Sequence, residues 1–370
     1  MAKRVRTLLV PLSCLHLCVG VDALLQIVGW KNPSHVGTAT VQLIISNTFR
    51  LMKSTKHFAS FLCLLPFISS QTFACDSCAI YSATMAHGES TIGWFAGAAS
   101  QYTDFGTTQE DGHEVPNVAD QYLDSSMTQA LAGYNFTPRF SAQVNLPYIY
   151  RSFSRPEGFL TDKGSVQGIG DASLIGRLLI THMDSPDNTF TWNLLAGIKL
   201  PTGSSSRLKE EFNESEVPGA PESGIHGHDL ALGSGSWDGI VGTSGYYRYQ
   251  RVFATAAVQY ALRTEGDYDY RYANALAWEG GIGTYLLLTD SHTLALELLA
   301  SGDYKRTDTF QGEDADDTAI NAVYLGPKLV GTWKANLAAE LGVEIPVRIQ
   351  NSAFQTVPDV RVRAGFTWRF

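Results

Sequence analysis

Positive charge is scarce in this chain: 27 Lys and Arg stand against 36 Asp and Glu in 370 residues, a formal net charge of −9. Neutralising nucleic-acid phosphates takes a basic stripe, so that class of partner is excluded. Cysteine is scarce too, five in all, and Cys14, Cys18 and Cys63 fall early. That leaves Cys75 and Cys78, too few to staple a disulfide scaffold. Beyond residue 74 there is also no continuous apolar run of the roughly 20 residues that a membrane helix needs. What is present is 17% charged residues, 11% aromatics and 34 glycines. In an exported chain this leaves a soluble β-protein or a transmembrane β-barrel.

Export is indicated by residues 52–74, MKSTKHFASFLCLLPFISSQTFA. Lys53 and Lys56 precede an apolar core from Phe58 to Ile68, and small residues lead to Ala74, the n-region, h-region and exit of a signal peptide. Residues 1–51 then read as an upstream segment from a mis-assigned start. Residues 75–90 read as an N-terminal periplasmic segment, and residues 91–370 as the folded domain. Without residues 1–74 the chain keeps 20 basic and 35 acidic residues, a net charge of −15. Cys75 and Cys78 form a CxxC with three readings: a small disulfide made on export, half a metal site or a redox pair. Lipidation at Cys75 would favour a leucine where Thr72 stands.

From Thr91 onward, segments of ten or more residues alternate apolar and polar with period two. In VRVRAGFTWRF, Val360, Val362, Ala364, Phe366, Trp368 and Phe370 share one face, while Arg361, Arg363, Gly365, Thr367 and Arg369 share the other. In FSAQVNLPYIY, Ala142, Val144, Leu146, Tyr148 and Tyr150 oppose Ser141, Gln143 and Asn145. FTWNLLAGIKLP and KANLAAELGVEIPVRIQ follow the same rule.

Twelve such segments begin near residues 91, 120, 139, 171, 189, 236, 252, 272, 292, 318, 335 and 358. Brief links at NFTPR, MDSPDN, YQR, TDSH and WKAN alternate with longer polar ones at 106–119, 153–168, 202–235, 264–271, 302–317 and 350–358. Alternating short and long connections, an even strand count and tryptophans near strand ends are what an up-and-down outer-membrane barrel shows. The expected fold is therefore all-β, a transmembrane antiparallel barrel of about 12 strands with short periplasmic turns and long extracellular loops. A soluble sandwich competes, but its strands average about five or six residues.

The closing Phe366, Trp368 and Phe370 look like the C-terminal signal read by the barrel-assembly machinery. The blocks NLPYIYRSF, GIGDASLIGR, GIKLPTG and GSGSWDGIVG resemble the outer-membrane transporter family of the MetA-pathway-of-phenol-degradation type. The similarity covers about residues 90–370. It implies an outer-membrane pore more than a substrate, with lipid, the assembly machinery and a small-molecule solute, hydrophobic or aromatic solutes included, as partners.

The face expected to line the lumen carries Asp171, Glu279, Glu297, Glu340 and Glu344 among Arg177, Lys199, Arg263, Lys328, Arg348, Arg361 and Arg363. Opposed charges across a narrow lumen set a transverse field that orients polar solutes; paired, they would instead fill a closed barrel. The long third loop is placed to constrict the opening. Its His226, His228 and Asp229 supply imidazole and carboxylate for Zn²⁺ or Cu²⁺, or sit on an exposed Gly-rich loop. The same pair, His228 and Asp229, is the one opening for a rim-located surface hydrolase. No catalytic constellation assembles, so a non-enzymatic channel without cofactor is expected, with a non-conducting structural or surface-binding barrel as the alternative.

Overall fold

Period-two patterning becomes one closed antiparallel sheet. A computed structural model describes residues 92–370 apart from 214–216 and 335; the signal segment, Cys75, Cys78 and His87 lie outside the described residues. Twelve strands form the wall: β1 (Gly93–Glu110), β3 (Tyr122–Asn135), β4 (Phe140–Glu157), β6 (Ser173–Asp184), β7 (Asn188–Lys199) and β8 (Asp238–Tyr249), then β9 (Val252–Leu262), β11 (Ala275–Leu288), β12 (His292–Lys305), β15 (Ile320–Trp333), β16 (Leu337–Asn351) and β17 (Phe354–Arg369). Each pairs with the next in sequence. β17 returns to β1, from Phe95 opposite Arg369 to Glu110 opposite Phe354, and the Phe370 amide donates to Trp94 O at 3.0 Å. Closure removes both sheet edges, which hydrocarbon would otherwise leave unsatisfied.

The wall strands run from 11 residues in β9 to 18 in β1 and β4. Crossing hydrocarbon at a tilt takes roughly 9–11, so several strands rise well past the membrane. The outer face is apolar: Ile282, Leu298 and Ile345 are 69%, 58% and 56% exposed. At the short-turn rim, Trp94, Tyr134, Phe136 and Phe140 form a chain of rings 5.0 to 5.7 Å apart, and Trp333 meets His292 edge-on at 4.2 Å. Tyr148, Tyr150 and Trp237 are exposed nearer the other end. These are the two aromatic girdles of a membrane barrel.

The five short turns fall where the sequence places them. At the other end β1 runs on to Glu110 and β12 to Lys305, into stretches expected as loops, and two further places differ. β4 does not stop at residue 153 but pairs on to Glu157 with β5 (Leu160–Ile169), turning at Gly158 with φ +59. The expected loop at 350–358 is a two-residue turn, Ser352–Ala353. Here β1 supplies a ladder partner for β17 up to Phe354, and the Asn351 amide donates to Gln109 O and Ala353 O at 3.0 and 2.9 Å. The remaining small strands, β2 (His113–Val115), β10 (Tyr270–Arg271), β13 (Asp308–Phe310) and β14 (Glu313–Ala315), lie in the loops.

A plugged lumen as the candidate functional site

Most inward-facing charges on β11, β12 and β15 to β17 meet an opposite charge in contact. Arg361 pairs with Asp303 at 2.7 Å, Arg363 with Glu279 at 3.0 Å and Glu344 at 3.1 Å, and Lys328 with Glu297 at 3.0 Å. The Arg361 guanidinium also lies 3.9 Å above the Tyr324 ring, and its Nε and Nη1, without hydrogen-bond partners among the described residues, are covered there. A cation over an aromatic face accounts for that burial. Glu340 shares the inner face of β16 with Glu344. On β6, Arg177 Nε donates to Ser141 Oγ at 3.3 Å.

Arg348 departs from the interior set. Opposite Val323 and Tyr324, β16 shifts register between Arg348 and Pro346, leaving Val347 as an extra residue. A bulge reverses which side the following residues face, and Arg348 is exposed, donating to Gln350 Oε1 at 2.9 Å.

A second ionic knot ties down the third loop, residues 200–237. Lys199 Nζ lies 2.7 Å from Asp171 and 2.8 Å from Asp238, and Arg263 lies 2.7 Å from Asp238. Asp171 accepts from the Gly203 amide at 2.9 Å and from the Ser234 amide and hydroxyl at 3.0 and 2.9 Å. One carboxylate thus grips both ends of the loop. A Cβ on Gly233 would stand 2.6 Å from Asp171 Oδ1 and one on Gly203 2.5 Å from Leu232 O, so both positions need glycine. The blocks GIGDASLIGR, GIKLPTG and GSGSWDGIVG, separated in sequence, converge on this knot.

From it the loop folds inward across the mouth. Ile225 and Leu230 pack with Phe105, Leu123 and Phe153, while Leu208 and Ala231 pack with Tyr270 and Tyr272. Arg151 donates to Ala231 O at 2.7 Å, the Gly224 amide to Gln121 Oε1 at 2.8 Å and the Thr356 amide to Gly224 O at 2.9 Å. The loop therefore touches β1, β3, β4 and β17 on the far side of the opening, and it is a plug, not an exposed loop.

His226 and His228 stack in parallel, 5.7 Å apart; His226 caps the one-turn helix α1 (Gly227–Leu230), and His228 and Asp229 lie within it. His226 Nε2 donates to Ser223 O at 2.8 Å and lies 3.2 Å from Asp317. His228 is 6% exposed, 3.1 Å from Glu211, 3.5 Å from Asp229 and stacked on Tyr270 at 5.9 Å. The ring nitrogens are thus engaged with protein oxygens. Among the described residues no group of three or more His, Cys, Asp or Glu side chains is placed to hold a metal ion. Burial opposes charge on His228, but Asp229 and Glu211 outweigh it and hold the imidazole well above its ordinary 6.5. Covered this way, His228 also faces no open rim.

The site reading by charge alone passes over the uncharged interior of β1, β3 and β4: Gln101, Gln129, Gln143 and Asn145, with Met127 and Leu131. Its signal is the polar half of the period-two alternation. A cavity of about 60 Å³ lies between this wall and the ionic knot, roofed by Ala231–Ser234 of the plug, with Met127, Gln129, Pro147 and Ile149 on one side and Asp171, Lys199 and Arg263 on the other.

A closed wall of twelve strands, an apolar outer belt and an interior of polar side chains decide the class. The chain is a transmembrane β-barrel of the bacterial outer-membrane type. No protein-family model and no curated protein sequence matches it. Among solved structures, this outer-membrane barrel is similar to the COG4313 outer membrane channel from Pseudomonas putida F1. The TM-score is 0.52 at 14% identity, over 76% of this chain and 97% of that one. The β domain of the Bordetella autotransporter BrkA is further off, with a TM-score of 0.42 at 10% identity over 75% and 99% of the two chains.

Proposed function

We propose that this outer-membrane barrel is a channel that passes small solutes by diffusion through its lumen, with the third loop as the removable obstruction. The observation that carries this is how the plug is held. Among the described residues it has no strand pairing with the wall. Its ends hang on side-chain contacts, Asp171 taking the Gly203 and Ser234 amides, Thr202 bonding Gly170 and Ala172 and Ser205 bonding Asp267. Its body hangs on the Arg155–Glu210 ion pair, scattered hydrogen bonds and small apolar clusters. Such contacts open at far lower cost than the ladder of the wall. The likeness to an outer membrane channel supports the same reading.

Purified barrel in a planar bilayer should give discrete conductance steps, and Asp171→Asn should lengthen the open periods. The alternative, a non-conducting structural or surface-binding barrel, is favoured by the ion pairs in contact along the interior. Folded barrel that stays silent both as wild type and as Asp171→Asn would decide for it.

A further inference from the structure

The interior offers a solute two different surfaces. On β11, β12 and β15 to β17, acidic Glu279, Glu297, Asp303, Glu340 and Glu344 are matched in number by Lys305, Lys328, Arg361, Arg363 and Arg369, and most touch an opposite partner. That surface is committed to itself, and an ion entering beside it must compete with pairs already formed. The cavity lies elsewhere, with the uncharged wall on one side and Asp171, Lys199 and Arg263 on the other, and those three charges are likewise committed, Lys199 to Asp171 at 2.7 Å and Arg263 to Asp238 at 2.7 Å.

At that cavity stands Gln129, 7% exposed. Its one side-chain hydrogen bond among the described residues runs from Nε2 to Met127 Sδ at 3.6 Å. A thioether is a weak acceptor, and a buried carboxamide is costly to leave so poorly partnered. The neighbouring amides are better served: Gln143 Nε2 donates to Asn145 Oδ1 at 2.8 Å, and Asn145 Nδ2 to Ser173 Oγ at 3.2 Å. Gln129 is the member of the row that lines the cavity with hydrogen-bonding capacity to spare, and Pro147 and Ile149 give it an apolar floor.

We infer that the cavity under the third loop is a binding site for an uncharged, hydrogen-bonding solute, with Gln129 as its polar contact. This rests on the channel reading and adds the class of cargo. A cavity of about 60 Å³ holds little more than two waters. A larger solute therefore occupies the site as the Ala231–Ser234 strip gives way, which couples binding to withdrawal of the plug. A carboxamide both donates and accepts, so it serves hydroxyl and amide groups without favouring either sign of charge.

The test is swelling of proteoliposomes in arabinose and in arabonate, its carboxylate counterpart of equal carbon count, with folding checked by heat-modifiable gel mobility. Arabinose should enter several-fold faster than arabonate, and Gln129→Leu should slow arabinose by about fivefold, the worth of one neutral hydrogen bond. Gln129→Asn, which keeps the carboxamide, should retain most of the wild-type rate. Folded wild type that conducts ions in a planar bilayer but admits arabinose no faster than arabonate overturns the inference and leaves the channel standing. So does a Gln129→Leu rate equal to wild type. A barrel silent to ions and to both solutes removes the channel reading, and this inference with it.

Discussion

The two halves of the interior solve the same problem in opposite ways. On β1, β3 and β4 the inner face below Arg151 carries carboxamides, hydroxyls, Met127 and Leu131, with no charged residue among the described positions. On β11, β12 and β15 to β17 it carries ion pairs closed at 2.7 to 3.1 Å. Both exclude unsatisfied groups, but at different stakes. Removing one member of an ion pair strands a charge, whereas removing one amide strands a dipole. The ionic half is therefore the rigid half, and the uncharged half is where a visitor can be accommodated.

The largest effect that would test this is at Arg361. Arg361→Met leaves the Asp303 carboxylate, 6% exposed, without its partner, and should cost about 3–5 kcal/mol. Arg361→Met with Asp303→Leu should recover most of it. Gln143→Leu on the opposite wall should cost only about 1 kcal/mol. Urea unfolding in lipid vesicles, followed by tryptophan fluorescence, measures all three, and equal losses at Arg361 and Gln143 would abolish the distinction between the walls.

Next in size is the knot that hangs the plug from the wall. Asp171→Asn keeps the shape but loses the charge that faces Lys199 and receives the Gly203 and Ser234 amides. Hydrogen bonds to a charged group are worth about 1.5–3 kcal/mol, so the open population should rise by roughly ten- to a hundredfold. Both bilayer recordings and limited proteolysis within residues 203–234 report it. Unchanged proteolysis would mean that the apolar contacts of Ile225 and Leu230, with the bonds from Arg151, Gln121 and Arg155, hold the loop without Asp171.

A smaller effect sets the plug against the wall by pH. His228 is raised above its ordinary 6.5, so its contribution is complete below that value and is lost as pH rises through the higher folded one. Asp229, drawn below its ordinary 3.8 chiefly by His228 against the cost of burial, contributes above 3.8 and loses its part as pH falls through the lower folded value. Loop closure should be firmest between those two ordinary values. Protease sensitivity of the third loop should increase from pH 6 towards pH 10 in wild type and lose that increase in His228→Asn. Unfolding of the barrel itself should not follow the same curve.

How far the letters reach is clear from particular strands. β4 and β17 were legible to the residue face, because a strand between lipid and lumen must alternate, and nothing interrupts the alternation in VNLPYIY or VRAGFTWRF. The turn at Ser352–Ala353 was not, because Gln355 and Thr356 look like loop residues until β1 supplies the partner strand. The plug was legible as a long insertion near the opening. Its burial was not, since Ile225, Leu230 and Leu208 are spaced without period and find their apolar partners 62 to 125 residues away in the chain. The convergence of Asp171, Lys199, Gly203 and Ser234 lies between segments, where local pattern carries no distance.

The smallest predicted effect isolates the bulge in β16. By alternation alone Arg348 belongs with Glu340 and Glu344, and so with the ionic wall; the extra Val347 carries it out of that set to an exposed position beside Gln350. An exposed arginine bonded to one neutral amide has little to lose. Arg348→Ala should therefore change stability by no more than about 0.5 kcal/mol, against the several expected at Arg361, in the same urea titration. Salt should scarcely alter it, since no carboxylate partner is recorded within contact of Arg348 among the described residues. A loss at Arg348 as large as that at Arg361 would place both arginines inside, and the register of β16 past Pro346 would have to run without the bulge.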